Sequence, residues 1–223
     1  MSESRMQTTL EQLLAELRTL ISQMVQDTSE LVSDAVDALR HRDVQLAKEV
    51  IDRDQQIDQQ DTQVDELVAK ILALQQPVAS DLRAVIGTLK ISGELERVSD
   101  HAVNIAESAI ALAVKEELPI SNEVLYMAAV AELMLASAVE SFMDANTIIA
   151  RGVLSSDDEV DDLNRNITRQ LTDTMTEQPS RIEAGMELIR VCKNLERIAD
   201  HATNIAEDVI YINDAKLVKH TGR

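Results

Sequence analysis

The strongest constraint on this chain is that it repeats itself. Residues 95–107 read LERVSDHAVNIAE and residues 195–207 read LERIADHATNIAE, an offset of 100. Upstream, residues 34–58 (DAVDALRHRDVQLAKEVIDRDQQID) match residues 137–161 (SAVESFMDANTIIARGVLSSDDEVD) at an offset of 103. A three-residue length change therefore falls between the two blocks, and Pro77 and Pro179 are roughly equivalent. Matched blocks in the same order mark a duplicated structural unit. The two copies cover about residues 5–116 and 121–214, and the expected division is 1–118 and 119–223, with the break at Leu118 and Pro119.

Each copy reads as three helices. Met6, Leu10, Leu13, Leu17, Leu20, Met24 and Leu31 form a heptad-spaced apolar stripe, the pattern of an amphipathic helix. A turn is expected at His41, Arg42 and Asp43. A second helix carries Ile57, Val64, Leu67, Ile71 and Leu74 and ends at Pro77, which disfavours helical geometry just before it. The third carries Ile91, Leu95, Val98, Ala102, Ile105, Ala109 and Leu112, repeated as Val191, Leu195, Ile198, Ala202, Ile205, Val209 and Ile212. Alternating four-three spacing is the seam of near-parallel packed helices. With only three aromatic residues and eight Gly and Pro together, the chain lacks what sheets and their turns need. The expected fold is all-α: two tandem, pseudo-symmetric, antiparallel three-helix bundles.

The formal net charge is −19. Nucleic-acid backbones and anionic lipid surfaces repel such a chain, whereas cations or a basic partner surface suit it; the charge also serves solubility. Cys192 is the single cysteine, so no internal disulfide forms and a reducing, intracellular setting fits. The N-terminal residues run into an amphipathic pattern rather than a signal peptide, and no apolar run is expected to approach the roughly 20 residues of a membrane span. Direct membrane insertion is not expected.

The repeated motif also carries acid. Glu96, Asp100, Asn104 and Glu107 fall within an arc of about 80° on a helical wheel, nearly opposite the apolar seam; Glu196, Asp200, Asn204 and Glu207 repeat it. The expectation is that Glu96/Asp100 and Glu196/Asp200 point outward, each pair one turn apart. On the second helices Asp54, Asp58, Asp61 and Asp65 form a matching stripe, answered by Asp157 and Asp161. Like charges at i and i+4 destabilise a helix unless a cation, a salt bridge or solvent offsets them. Carboxylates without cysteine suit hard or borderline cations: Mg²⁺, Ca²⁺, Mn²⁺ or iron. A solvated acidic face, with Arg97 and Arg197 pairing locally, explains the same residues. His101 and His201 flank the seams as packing or hydrogen-bonding residues. A ferritin-like diiron site needs Glu three residues before each histidine, where Val98 and Ile198 stand. There is no Walker loop, nucleophile elbow or Cys-x-x-Cys pair, and Cys192 reads as a small packing residue.

The twin blocks, together with PVASDLR at residues 77–83 and LKISGELERVSDHA after it, resemble the signature of the PhoU family of phosphate transport accessory and regulatory proteins. The resemblance spans essentially the whole chain. It implies a cytoplasmic, non-enzymatic, dimeric protein, peripheral to the inner membrane at most through its partners. The implied partners are the ATPase of the phosphate ABC transporter and a sensor histidine kinase, and the implied role is negative regulation of the phosphate-starvation regulon. No cofactor is required, but some members bind metal through Glu/Asp-x-x-x-Asp motifs. The resemblance therefore implies Fe, Mn, Mg or Zn at Glu96/Asp100 and Glu196/Asp200, with Asp54/Asp58 and Asp157/Asp161 contributing. At residues 179–185 PSRIEAG replaces PVASDLR, so equal roles for the two faces do not follow from the resemblance. The alternatives are an accessory of another phosphate transporter, a metal-binding helical scaffold, or a metal-dependent enzyme such as a phosphatase.

Overall fold

The computed structural model describes residues 2–115 and 118–215, with side chains from residue 9 onward. Met6 of the first apolar stripe lies outside the described side chains. Among the described residues seven α-helices run in order: α1 (Ser2–His41), α2 (Val44–Gln75), α3 (Ala79–Ala113), α4 (Asn122–Met143), α5 (Thr147–Leu154), α6 (Asp157–Glu177) and α7 (Ile182–Asp214), with a 3₁₀ turn at Pro179–Arg181. No strand occurs among the described residues. α1, α2 and α3 pack mutually, as do α4, the α5–α6 pair and α7, and the two bundles join chiefly through α3 against α7.

The turns carry the duplication in atomic detail. Asp43 caps α2, its carboxylate accepting from the backbone N–H of Gln45 at 2.9 Å and Leu46 at 3.0 Å. Asn146, 103 positions on, accepts from Ile148 at 3.0 Å and Ile149 at 3.3 Å. The residues before them, Arg42 and Ala145, share a left-handed φ of 52°. Such caps satisfy the first N–H groups of a helix. Arg42 does more: its guanidinium donates to the carbonyls of Leu112 at 3.0 Å and Leu118 at 2.8 Å, tying the α1–α2 turn to the end of the first repeat.

Two expectations are corrected. The second helix of the second repeat is not continuous: it breaks between α5 and α6 at Ser155 and Ser156. Their hydroxyls donate back to the carbonyls of Arg151 at 3.2 Å and Gly152 at 3.4 Å, a bonding pattern that competes with the helix. Asp157, Asp158 and Glu159 then favour a new N-terminus. Leu74, placed on the α2 seam, is 62% exposed, because it lies in the last turn beyond Ile71. Asn122–Met143 is also long and apolar enough to cross a membrane by length and composition; Glu123, Glu132 and Glu140 interrupt it in the sequence. One side of it, including Val124, Met127, Ala131 and Leu135, is buried within the bundle.

One continuous core runs through both repeats and includes every seam residue of α3 from Ile91 to Leu112. A smaller cluster of Leu13, Leu17, Val64, Leu67, Val68, Ile71 and Val85 fills the far end of the first bundle. Gly87 lets α3 and α7 approach closely: a Cβ there would stand 2.2 Å from Ile212 Cδ1. Leu95 and Leu195 are fully buried. Leu95→Ala and Leu195→Ala are each expected to cost about 2–5 kcal/mol through cavity formation, measured by denaturant unfolding. Gly87→Ala must displace the end of the half-buried Ile212 side chain, a cost of about 1–3 kcal/mol if Ile212 stays put that the roughly 1 kcal/mol helix preference of Ala over Gly offsets in part; the net change, read in the same unfolding experiment, is expected to be smaller than for the leucine variants.

Candidate functional site

α2 and α3 lie side by side, and their acidic stripes meet. Asp54, Asp58 and Asp61 on α2 face Glu96 and Asp100 on α3. Ser99 donates to Asp54 and Ser92 to Asp61. Burial pushes the Glu96 carboxyl above its ordinary range, and Asp100, Asp61 and Asp58 push it further. Asp58 is raised for the same reasons, by burial and then by Asp54, Asp100 and Asp61. None of these five carboxylates takes part in an ion pair among the described residues. The two cations adjacent in sequence to these acids pair elsewhere, Arg97 with Glu94 at 3.4 Å and Arg53 with Asp34 of α1.

The second repeat brings Asp157 and Asp161 on α6 beside Glu196 and Asp200 on α7, but this groove is partly neutralised. Lys193 pairs with Glu196, Arg197 with Asp200 at 3.1 Å and Arg165 with Asp161 at 3.9 Å. Asn164 donates to Glu196 at 2.7 Å and Thr203 to Asp157 at 3.3 Å. Burial and Glu196 still raise the Asp161 carboxyl, against the pull of Arg165. The expected outward direction holds for Asp100, which is exposed, and needs correction for Glu96 and Glu196. Glu96 and Glu196 lie along the seam with the neighbouring acidic helix, and the Glu196 side chain is only 17% exposed. Asn104 and Glu107 leave the stripe and accept from Arg190 of α7 at 2.8 and 2.6 Å. The serines and amides that buttress the acids went unnoticed in the sequence. Ser92 and Ser99, seven apart on the α2-facing side of α3, were the available signal; the second copy has Cys192 and Ala199 instead.

The donor set is all oxygen and suits a hard cation. In their present side-chain positions, no three or more His, Cys, Asp or Glu among the described residues are gathered closely enough to hold a metal ion. The first groove fits such an ion better, since Arg97 acts on Glu96 only at a distance and no ion pair relieves its carboxylates among the described residues; in the second, arginine and lysine already supply the counter-charge.

At the centre of the molecule the repeat-related histidines stack on each other, His101 of α3 on His201 of α7, with ring centroids 5.3 Å apart and planes at 25°. Both bond across the interface. Nδ1 of His101 meets Asn194 Oδ1 at 2.9 Å, and Nδ1 of His201 meets Glu94 Oε2 at 2.7 Å. Burial works to raise the Glu94 carboxyl, but hydrogen bonds from His201 and Asn204 prevail and hold it below its ordinary range. Burial lowers the His101 imidazole. Cys192 is buried and its thiol is pushed up to about 12, as befits a packing residue rather than a nucleophile.

Two separate stretches, residues 21–109 and 124–209, match the family model described as the PhoU domain. The chain belongs to the PhoU family. A relative from Aquifex aeolicus (strain VF5), a "Phosphate-specific transport system accessory protein PhoU homolog", is 37% identical over 207 residues, covering 93% of this chain and 94% of its own. The homologue of that name from Pseudomonas aeruginosa is 38% identical over 192 residues, covering 86% of this chain and 79% of its own. The crystal structure of PhoU from Pseudomonas aeruginosa superposes with a TM-score of 0.90 at 35% identity, covering 92% of this chain and 99% of that one. The phosphate transport system regulatory protein PhoU from Streptococcus pneumoniae gives 0.84 at 27% identity, covering 96% and 100%.

Raised carboxyl values link the first groove to pH. A group protonated more readily in the folded state adds stability as pH falls through its raised value and withdraws it as pH rises. Glu96→Gln removes that repulsion permanently. It should raise the melting temperature at neutral pH, by the equivalent of about 0.2–0.5 kcal/mol, and the gain should shrink as pH falls through the raised Glu96 value. Melts of both proteins across acidic to neutral pH measure this.

Proposed function

We propose that this chain is a regulatory accessory protein of phosphate-specific transport. It acts as an adaptor between the ATPase of the phosphate ABC transporter and a sensor histidine kinase, and it restrains the phosphate-starvation regulon when phosphate is plentiful. The observation that carries this reading is the family match in both repeats, with relatives named as accessory proteins of the phosphate-specific transport system. On the same footing the protein works in the cytoplasm as a homodimer, catalyses no reaction, and keeps its two repeats, 1–118 and 119–223, as distinct functional halves. Deleting it should leave starvation genes switched on in phosphate-rich medium. A reporter fused to a starvation-induced promoter reads this directly, and normal repression in the deletion strain would overturn the regulatory reading.

We further propose that the acidic grooves take Fe, Mn, Mg or Zn. Asp54, Asp58, Glu96 and Asp100 form the principal site; Asp157, Asp161, Glu196 and Asp200 form the weaker one. A bound cation would supply positive charge to carboxylates that now repel one another, joining α2 to α3. Support comes from the raised Asp58 and Glu96 carboxyls and from the lack of ion pairs at the first groove among the described residues. Chelator-treated protein titrated with Mg²⁺, Mn²⁺, Fe³⁺ and Zn²⁺ should lose most binding on Asp58→Asn/Glu96→Gln and less on Asp161→Asn/Glu196→Gln. Unchanged binding by both variants would place any metal elsewhere.

A further inference from the structure

α4 presents an apolar stripe to solvent. Its inner side is packed into the bundle, yet Tyr126 and Leu133 on the outer side are 53% and 66% exposed, and Ala129 and Ala136 between and beyond them are exposed too. The spacing of three, four and three is that of one helix face. The duplication supplies an internal control. At the 103-residue offset, the equivalent positions on α1 are Gln23, Gln26, Glu30 and Ser33, all exposed and all polar. The fold therefore tolerates a polar face here, and the apolar one is a property of the second repeat alone. An exposed apolar stripe with polar margins is the mark of an interaction surface.

The margins are acidic. Glu123 and Glu140 are exposed on the two turns flanking the stripe. On one side Tyr126 donates to Glu159 of α6 at 2.7 Å, with Asp158 exposed next to it. On the other, the half-buried Glu132 bonds Ser33 of α1 and lies near both Asp37 and Arg40, which pair with each other at 3.3 Å. Two copies of a chain of charge −19 would set acid against acid around this stripe, and anionic lipid would meet the same border. We propose that the outer face of α4 is a docking site for an amphipathic helix of another protein, its apolar stripe lying on Tyr126, Ala129, Leu133 and Ala136 and its bordering Lys or Arg residues meeting the flanking carboxylates. The stripe and its margins carry this independently of the regulatory reading.

The test uses the full chain and a synthetic helix with a leucine stripe bordered by lysines, next to the same helix with glutamate in place of lysine. Isothermal titration should show binding of the lysine helix and none of the glutamate helix. Leu133→Glu adds negative charge, so binding by charge alone would hold or tighten, whereas docking on the stripe should weaken about tenfold or more. Ala129→Arg is a second disruption, and Glu30→Gln on the polar face of α1 should change nothing; circular dichroism melts establish that the variants fold. Amide shift changes on binding should centre on residues 126–140. Equal binding by wild type and Leu133→Glu would overturn the proposal. So would sedimentation showing a wild-type dimer that Leu133→Glu converts to monomer, or capture by phosphatidylglycerol-containing vesicles that Leu133→Glu abolishes.

Discussion

The rest of the molecule depends on the contact between α3 and α7, where a repeated segment packs against its own copy. Each bundle needs its third helix twice: once to close its own three-helix core, and again to bury the other side against the partner repeat. The shared seam of small and medium aliphatic residues makes this possible. Ala102, Ala106, Ala202 and Ala206 are fully buried, and Gly87 admits Ile212 at a distance no Cβ allows. Helices brought this close have little room for error, which is why their polar contacts are so specific. Stacked histidines and their Asn194 and Glu94 partners fix the register at the centre.

Duplication sets up equal halves, and single substitutions then divide their chemistry. Position 94 is glutamate in the first copy and position 194 asparagine in the second, so one histidine meets a carboxylate and the other an amide. Arg97 goes to Glu94, leaving the first acidic groove without a cation. Its counterpart Arg197 faces asparagine at the equivalent position and pairs with Asp200 instead. One amide-for-acid change thus redirects an arginine and alters the electrostatics of a groove on the adjacent face. Two grooves with nearly the same carboxylates thus differ in how far their charge is paired within the chain.

Much of this was legible in the sequence because burial writes a strong period. The α3 and α7 seams were read residue by residue, and the turn expected at residues 41–43 lies where α1 ends and α2 begins. The grooves were half legible. A helical wheel treats each helix alone, so it placed Glu96 and Glu196 toward solvent when a second acidic helix stands there. The break at Ser155 and Ser156 was hidden because the repeat itself argued for continuity. The Ser92 and Ser99 contacts left only a faint trace, a seven-residue spacing on one side of α3, since serine in a helix is ordinary and the partner lies on another helix.

The small cluster at the far end of the first bundle gives the molecule a graded stability. Leu13, Leu17, Val64, Val68 and Ile71 form a patch separate from the main core, and the α2 helix ends just beyond it. Such a region opens locally at a lower free energy than the centre, because fewer buried contacts are lost. Hydrogen exchange across α2 should therefore not be uniform: amides near Ile57, inside the common core, report global unfolding, while those near Ile71 report a local event. The first repeat is thus expected to lose its structure from this end inward, toward the α3–α7 junction.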